Sequence, residues 1–219
     1  MKIDLVEELY ENKSSDYFSL EREIIINEIN GKNIKILDIG CGSGELGEAL
    51  KKKTNAIVYG VELNKRAYEK ASLKLDHTIH ANIETLDIPF DENSFDYIVM
   101  GDVLEHLIDP QTILKKLYPL LKPGGCILII VPNIRYWRVL LNLILKDEWE
   151  YKEWGILDYT HLRFFTKKSI VRLFKKTGLQ YISANWVIGR KSKSSFLNKF
   201  TFSFFEGFLA SHIMIKSKK

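Results

Sequence analysis

The sequence predicts an α/β fold built on a doubly wound, mostly parallel sheet. Two observations support this: short apolar runs of strand length recur along the chain, and helical patterns separate them. The runs are rich in Ile and Val on both faces, which is typical of a parallel sheet covered by helices on both sides. With 219 residues, 46% hydrophobic and 27% charged, the chain fits one globular domain.

The elements follow in order from the first predicted helix, FSLEREIIINEINGKN, which ends at Gly31. Apolar runs of strand length lie at residues 34–40, 56–62, 77–81, 95–101 and 126–132. Helical patterns lie between them at residues 45–53, 64–75 and 109–121. The last of these has Asp109 as N-cap and Pro110 at its first position.

The pattern changes after Pro132. Residues 133–166 hold three of the four tryptophans and few strand signals, so we interpret them as an insertion at the carboxyl edge of the sheet. A helix with Thr166 as N-cap and Gly178 past its end follows. Two more strands are predicted at residues 179–189 and 211–218, separated by a Ser/Lys-rich turn and an aromatic helix at 196–210.

The stretch KILDIGCGSGELG, between a predicted strand and a predicted helix, contains two overlapping glycine patterns. Gly40, Gly42 and Gly44 spell G-x-G-x-G, whereas the spelling from Gly42 to Gly47 is the G-x-G-x-x-G of dinucleotide-binding enzymes. Asp38 ends the strand and favours the first spelling, because a carboxylate repels a pyrophosphate but accepts hydrogen bonds from an ammonium group. Gly47 then becomes a small residue that lets the helix pack on the sheet.

Glu62 ends the next strand run, where a carboxylate can bind both hydroxyls of a ribose. NAD-dependent enzymes use an acid in the same way, so Glu62 alone does not choose a ligand. Two alternatives therefore stay open at this point. One is an NAD(P)-dependent oxidoreductase, and the other is a non-catalytic partner protein that keeps a cofactor-binding fold.

Four motifs then occur in the order found in class I S-adenosylmethionine-dependent methyltransferases, which the chain resembles. They are ILDIGCGSG, GVELN, HANIETLDIPFDENSFDYIVMGDVLEHLIDP and LKPGGCILIIVPN, and they cover residues 34–133. The resemblance implies a Rossmann-like fold of seven strands with the last one antiparallel. It also implies methyl transfer from S-adenosylmethionine to a small molecule or sugar, on oxygen, with S-adenosylhomocysteine as product.

The resemblance further implies a cofactor site. By this resemblance Asp38 and the glycine turn bind the methionine portion of the cofactor, Glu62 binds the ribose, and Asn82 binds the adenine. Asn82 departs from the commoner Asp but keeps an amide oxygen as acceptor, and its alternative role is that of a strand-end turn former. The complete predicted set is Asp38, Gly40, Gly42, Gly44, Glu62, Leu63, Asn82, Ile83 and Gly101.

The expected organisation follows from these motifs. We predict a single methyltransferase domain over residues 1–219. It comprises an N-terminal helical segment (1–33), a cofactor-binding half (34–132), a substrate-side insertion (133–166) and a C-terminal helix with antiparallel strands (167–219).

The stretch GDVLEHLIDP contains candidate metal ligands. If it is helical from Asp102, then Asp102, Glu105 and His106 lie close to one face. A similar acid-x-x-Glu-His arrangement binds a divalent cation in some quinone-biosynthesis O-methyltransferases that this stretch resembles. Here a metal is not expected, and His106 has two other readings: a substrate-side acid or base, or a structural histidine.

The stretch WGILDYTHLRFFT resembles a segment of bacterial methyltransferases associated with surface polysaccharides and small metabolites. A neutral histidine can take a hydroxyl proton during transfer, so His161 is the first candidate base and His106 the second. The alternative is structural: Asp158 and Arg163 form an ion pair, and His161 caps the turn.

The tract RYWRVLLNLILKDEW has apolar residues at helical spacing. Packing in the core or as a lid is the preferred reading, and a dimer surface or a peripheral membrane contact are the alternatives. The tract is too short to span a bilayer, and no other segment is long and apolar enough to do so.

Composition narrows the partners and the compartment. The net charge of +4 comes without a clustered basic run, so no nucleic-acid partner is expected. Cys41 and Cys126 are the only cysteines, so no disulfide framework is expected, and a cytoplasmic location is expected. The sequence predicts no oligomeric state.

Overall fold

The computed structural model describes residues 19–189 and 205–219, in which seven strands form one sheet. The strands are β1 (Lys35–Ile39), β2 (Ile57–Glu62), β3 (His77–His80), β4 (Phe95–Gly101), β5 (Leu121–Pro132), β6 (Gln180–Val187) and β7 (His212–Lys218). The helices are α1 (Ser19–Glu28), α2 (Glu45–Thr54), α3 (Lys65–Ala71), α4 (Pro110–Leu117), α5 (Trp137–Lys146), α6 (Lys167–Lys176) and α7 (Glu206–Leu209), with short 3-10 turns at Leu104–His106 and Tyr118–Leu120.

The strands lie in the order β3-β2-β1-β4-β5-β7-β6. Strands β1 to β5 pair in parallel, and β7 runs antiparallel to both of its neighbours, β5 and β6. The predicted fold class, with a single antiparallel last strand, is confirmed. The strand order reverses between β1 and β4, and the crevice beyond their carboxyl ends is where open α/β sheets bind ligands.

Local signals fix several helix ends as the sequence predicts. The Asp109 side chain accepts a hydrogen bond from the Thr112 amide at the start of α4, and Pro110 occupies the first turn. Thr166 and Ser169 form a capping box at the start of α6. Gly178 follows that helix with a φ of 88°, a conformation that glycine adopts without strain.

The core lies on both faces of the sheet. One face is covered by α4 and α6 and the other by α1 and α2. Gly47 of α2 lies very close to the sheet: a Cβ added there would lie 2.5 Å from Leu75 Cδ2 and 2.9 Å from Val58 Cγ1. Its small size thus permits close helix–sheet packing, which is the role that the sequence predicts.

Several predicted boundaries differ from the structure, and α4, for example, ends at Leu117 instead of residue 121. Helix α3 ends at Ala71 instead of residue 75, because the chain turns there and Leu75 packs inward against Gly47. Strand β5 begins at Leu121 instead of Cys126. Of the predicted aromatic helix at 196–210, the structure shows Glu206–Leu209, and the rest up to residue 204 lies outside the described residues, as do residues 1–18 of the N-terminal segment.

The tract predicted to pack in the core or as a lid forms α5, and none of its residues is buried. Ile144 and Leu145 are 72% and 73% exposed. Packing in the core is therefore wrong, because helical spacing of apolar residues does not say which surface covers them, whereas packing as a lid stays a prediction. Within residues 19–189 and 205–219, no helix is both long and apolar enough to cross a membrane.

Candidate functional site

The glycine turn lies at the carboxyl end of β1. Gly40, Gly42 and Gly44 all have positive φ, at 69°, 54° and 80°. A Cβ on Gly40 would lie 2.5 Å from Val103 Cγ2, so the turn packs directly against the segment that follows β4. A Cβ on Gly42 would meet no atom within 4 Å, which leaves the backbone there open to a close-approaching ligand.

Asp38 lies beside this turn and is 2% exposed. Its Oδ2 atom is buried and has no hydrogen-bond partner among the described residues. Burial, and secondarily the negative charge of Glu62, raise the pKa of the Asp38 carboxyl to about 8. A buried carboxyl without a partner is costly, and an ammonium group placed here would offset that cost.

Glu62 joins the glycine turn to the next helix. Its Oε2 accepts a hydrogen bond from the Gly42 amide at 2.8 Å, and its Oε1 accepts one from the Asn64 amide at 2.8 Å. A carboxylate has about four acceptor positions, so both oxygens can accept further hydrogen bonds. The neighbouring Leu63 is exposed, and its carbonyl oxygen lies 2.9 Å from His80 Nε2.

Asn82 has the geometry of a turn former. Its side-chain oxygen accepts from the Glu84 amide at 2.9 Å, and its carbonyl accepts from the Leu86 amide at 2.9 Å. The Ile83 side chain is buried in the core. Gly101 ends β4 in register with Ile130, so this predicted residue lies at the carboxyl edge near β1.

A second group of polar side chains lies where the insertion meets the segment after β4. The Leu162 and Arg163 amides donate to the Glu105 carbonyl at 2.8 and 3.0 Å. The rings of His106 and His161 pack edge to face with centroids 4.8 Å apart. One ligand atom from each of Glu105, His106 and His161 lies within 4.8 Å of the others, so this group is a candidate cation site.

In both histidines the Nδ1 atom lies within hydrogen-bond distance of a backbone carbonyl oxygen. His106 Nδ1 lies 3.1 Å from Thr160 O, and His161 Nδ1 lies 2.9 Å from Ile156 O. In its neutral form each imidazole would donate from Nδ1 in such a contact and carry its lone pair on Nε2. The side chains of His161 and Glu105 are almost fully buried 4.0 Å apart, whereas His106 is half-buried.

Asp102 does not join this group, because the condition that the stretch is helical from Asp102 is not met. Asp102 has a φ of 52°, and only Leu104–His106 form a short 3-10 turn, so the i, i+3, i+4 spacing does not apply. The ion pair of Asp158 with Arg163, which the structural alternative assumed, is not found among the described contacts of these two residues. Arg163 donates to the Ile108 carbonyl at 2.7 Å, and Asp158 accepts from the Thr160 amide at 2.9 Å.

The Asp102 carboxylate instead lies beside His212, a residue that sequence reasoning missed. His212 Nε2 is 3.7 Å from Asp102 Oδ1, and its Nδ1 is 3.6 Å from Glu21 Oε1. No local motif could have found this cluster, since Glu21 lies on α1 and His212 begins β7. Only the order of the strands brings them together.

Comparisons with known proteins give one consistent result. Residues 16–184 match a family described as the methyltransferase domain. The ubiquinone biosynthesis O-methyltransferase of Coxiella burnetii is 31% identical over 169 residues, 72% of this chain and 71% of that protein. The demethylmenaquinone methyltransferase of Listeria welshimeri is 26% identical over 172 residues, 69% and 72% of the two chains.

Solved structures agree on the fold. An S-adenosylmethionine-dependent methyltransferase of Thermotoga maritima superposes with a TM-score of 0.67 at 19% identity, covering 97% of this chain and 98% of the other. At that identity the likeness concerns the arrangement of helices and strands alone.

Proposed function

The chain belongs to the methyltransferase domain family and is an S-adenosylmethionine-dependent methyltransferase, and from that premise we propose that it methylates an oxygen atom of a small hydroxylated molecule of the quinol type. Because the chain belongs to this family, the two alternatives left open by the sequence, an NAD(P)-dependent oxidoreductase and a non-catalytic partner protein, are no longer preferred. The observation that carries the cofactor assignment is the buried Asp38 Oδ2 atom, which has no hydrogen-bond partner in the described part of the chain and lies beside the open backbone of Gly42.

In this proposal the cofactor lies across the carboxyl ends of β1, β2 and β4. Asp38 accepts hydrogen bonds from the ammonium of the methionine portion, while the turn at Gly40, Gly42 and Gly44 gives the backbone room for it. Glu62 binds the ribose hydroxyls, with Leu63 next to it. Asn82 and Ile83 flank the adenine, and Gly101 closes the site from β4.

The cofactor supplies a methyl group activated on a positively charged sulfur. The protein then has to position the acceptor, exclude water and hold the proton that a hydroxyl acceptor loses. We assign the proton to Nε2 of His106, because His106 is the more exposed of the two histidines and its Nδ1 is already used on Thr160. His161, buried against Glu105, positions that ring.

The quinol class is supported by two observations. Both relatives reported above carry quinone names. The insertion that carries His161 also presents aromatic rings: Trp149 packs edge to face on Phe164, and Tyr151 stacks on Tyr159. Flat apolar rings bind well against such side chains. A sugar acceptor is the rival class.

The test combines binding with turnover. S-adenosylhomocysteine should raise the melting temperature of the protein and NAD should not, since a ligand stabilises only the state that binds it. Labelled methyl transfer is then measured to reduced 1,4-dihydroxynaphthalene and to glucose. Transfer to glucose alone would replace the quinol class, and stabilisation by NAD would contradict the cofactor assignment.

The histidine assignment has its own test. His106→Ala should lower kcat by about 100-fold with unchanged affinity for S-adenosylhomocysteine, which is the usual scale of a lost general base. His161→Ala should lower the melting temperature as well as kcat. If His106→Ala keeps full turnover on an acceptor that the wild type uses, His106 is structural.

A divalent cation is a second candidate role for Glu105, His106 and His161. Metal-binding histidines usually donate their second ring nitrogen to a backbone carbonyl, as both rings do here. Dialysis against EDTA, followed by metal analysis and by addition of Mg²⁺ or Zn²⁺, separates the two roles. Unchanged activity and no bound metal would leave acid–base chemistry.

We also propose a cytoplasmic site of action, supported by the two cysteines, which are both free. Measuring the protein in fractions of disrupted cells tests it. Recovery from a secreted fraction would contradict it.

A further inference from the structure

Glu84 links the loop after β3 to the segment after β4, and the proposed function gives it no role. Its Oε1 atom accepts hydrogen bonds from two consecutive amides, those of Ile108 at 2.8 Å and of Asp109 at 3.2 Å. Successive backbone N–H groups that point at one oxygen form a favourable site for a carboxylate. The Glu84 side chain therefore reaches from the adenine side of the proposed cofactor site to the backbone just before α4.

The backbone and the side chain of Glu84 have different partners. The Glu84 amide donates to the side-chain oxygen of Asn82 at 2.9 Å, within the turn that the proposed function puts against the adenine. The Glu84 carboxylate contacts the segment that carries His106, which lies two residues before Ile108. A substitution that shortens the side chain thus removes the contact with the His106 segment and leaves the amide contact with Asn82 in place.

The turn that carries His106 is a short one. Leu104–His106 form a single 3-10 turn, in which the His106 amide donates to the Val103 carbonyl at 3.0 Å and the Leu107 amide donates to the Leu104 carbonyl at 3.4 Å. Hydrogen bonds of 3-10 turns have poorer geometry than those of α-helices, and the second of these is long. Contacts from outside the turn therefore contribute to fixing the direction of the His106 ring.

Ile108 is held through both of its backbone polar groups. Its amide donates to Glu84, and its carbonyl accepts from Arg163 Nη2 at 2.7 Å. The Ile108 side chain is 67% exposed, so its burial does not fix the backbone at this residue. Arg163 belongs to the insertion, where the Leu162 and Arg163 amides also donate to the Glu105 carbonyl. The segment after β4 thus lies between an anchor on the cofactor side and an anchor on the insertion.

We propose that Glu84 is a positioning residue for methyl transfer: its carboxylate fixes the backbone at Ile108 and Asp109, and thereby the placement of His106 relative to the cofactor. The adenine turn and the His106 segment are both attached to Glu84, so the methyl donor and the base keep one relative placement. A displacement of about 1 Å in such a site can cost about 100-fold in rate. The inference rests on the proposed methyl transfer and on the assignment of the proton to His106.

The test separates turnover from cofactor binding. Glu84→Ala should lower kcat for transfer to reduced 1,4-dihydroxynaphthalene by about tenfold, because both amides lose their acceptor. The affinity for S-adenosylhomocysteine should change by less than about threefold, since the amide that contacts Asn82 remains. Glu84→Gln keeps an acceptor oxygen on a side chain of the same length and should recover most of the kcat. An unchanged kcat in Glu84→Ala, or an equal loss in Glu84→Gln, would overturn the proposal.

Further variants complete the comparison. Glu92→Ala removes the same side chain from an exposed position in the turn before β4 and should change neither kcat nor affinity. If Glu84→Ala does not fold, Glu84→Asp takes its place, because its shorter side chain should also lower kcat.

A double-mutant cycle tests the shared hold on Ile108. Once either Glu84 or Arg163 is lost, the segment is already free to shift. The loss of kcat in the combined variant of Glu84→Ala and Arg163→Ala should therefore be smaller than the product of the single losses. Losses that simply multiply would overturn the shared hold.

Amide hydrogen exchange separates failure of this inference from failure of the proposed function, because it needs no turnover. The amides of His106 and Leu107 donate to carbonyls of their own turn. In the ligand-free protein they should nevertheless exchange at least about fivefold faster in Glu84→Ala than in the wild type, since the turn loses an anchor. If this acceleration occurs but the wild type methylates neither 1,4-dihydroxynaphthalene nor glucose, the anchor stands and the proposed acceptor class fails. Unchanged exchange at both amides overturns the positioning role.

Discussion

Asp38 shows how a single residue can favour binding at the expense of stability. Its Oδ2 atom is buried and has no hydrogen-bond partner within residues 19–189 and 205–219, and the pKa of its carboxyl is raised to about 8. Between pH 4 and 8 the folded protein keeps a proton that the unfolded chain has released. The free energy of unfolding contributed by Asp38 therefore falls as pH rises through this range.

Replacing Asp38 should consequently separate stability from binding. We expect Asp38→Asn to raise the free energy of unfolding of the ligand-free protein at pH 8 by about 1 kcal/mol or more, with a smaller gain at pH 5. The same variant should weaken binding of S-adenosylhomocysteine by about 10- to 100-fold, because it loses a charge-assisted hydrogen bond. Urea denaturation at the two pH values and calorimetry provide the measurements.

Asp91→Asn is the matched control, since Asp91 is exposed and the substitution changes the same atoms. It should alter neither quantity. Equal affinity of Asp38→Asn and the wild type for S-adenosylhomocysteine would contradict the role assigned to Asp38.

At the same scale, the sequence predicted local features and missed those set by distant contacts. Asp38 and Glu62 were found because each ends a strand, so their position follows from local pattern. Asp102 was misplaced because a helix was assumed where the backbone takes a left-handed turn. His212 was missed because its partners are determined by sheet order.

At the scale of elements, the contact between α2 and β2 depends on the absence of a side chain at Gly47. A helical Gly→Ala substitution normally gains about 1 kcal/mol, but overpacking costs about 1–3 kcal/mol. We expect the cost of overpacking to exceed the gain in helix propensity. The reason is that Val58 is β-branched and held in a strand, with its Cγ1 atom only 2.9 Å from the added Cβ. Gly47→Ala should therefore lower the free energy of unfolding.

A double-mutant cycle tests the physical reason. Leu75→Ala removes the atom 2.5 Å from the added Cβ, so the double variant should be less destabilised than the sum of the single variants. Strict additivity would show that the Gly47 contact with Leu75 is not what limits the packing.

Unlike the tightly packed contact at Gly47, helix α5 should tolerate substitution, since its apolar side chains are largely exposed. Ile144→Gln and Leu145→Gln should each change the free energy of unfolding by less than about 0.5 kcal/mol, as surface substitutions do. Leu114→Ala, at a fully buried position of α4, should cost about 2–5 kcal/mol and serves as the comparison. A large loss from either α5 variant would mean that a surface not seen here covers this helix.

At the scale of the whole molecule, β7 holds the C-terminal part of the sheet together. Ile215 is fully buried and pairs with Ile129 of β5 on one side and Ala184 of β6 on the other. Ile215→Ala should cost about 2–5 kcal/mol, and hydrogen exchange should accelerate in β5 and β6 together. Ile57→Ala, at a position 42% exposed on β2, should show neither effect.

The sequence predicted the architecture well for a physical reason. Parallel strands buried on both faces leave a strong apolar signal, and caps such as Asp109 and Thr166 mark helix ends. The surface role of α5 could not be predicted, because an amphipathic pattern reports that one face is apolar and not what covers it.

The position of β7 between β5 and β6 also bears on how the protein is made. During translation β6 leaves the ribosome before β7 but has no strand of the sheet to pair with until β7 has been synthesised. For that interval β5 has an exposed edge on which β6, or a strand of another nascent chain, can dock wrongly. Slow elongation just before β7 would lengthen this vulnerable interval, and chaperone demand in the cell would rise with it.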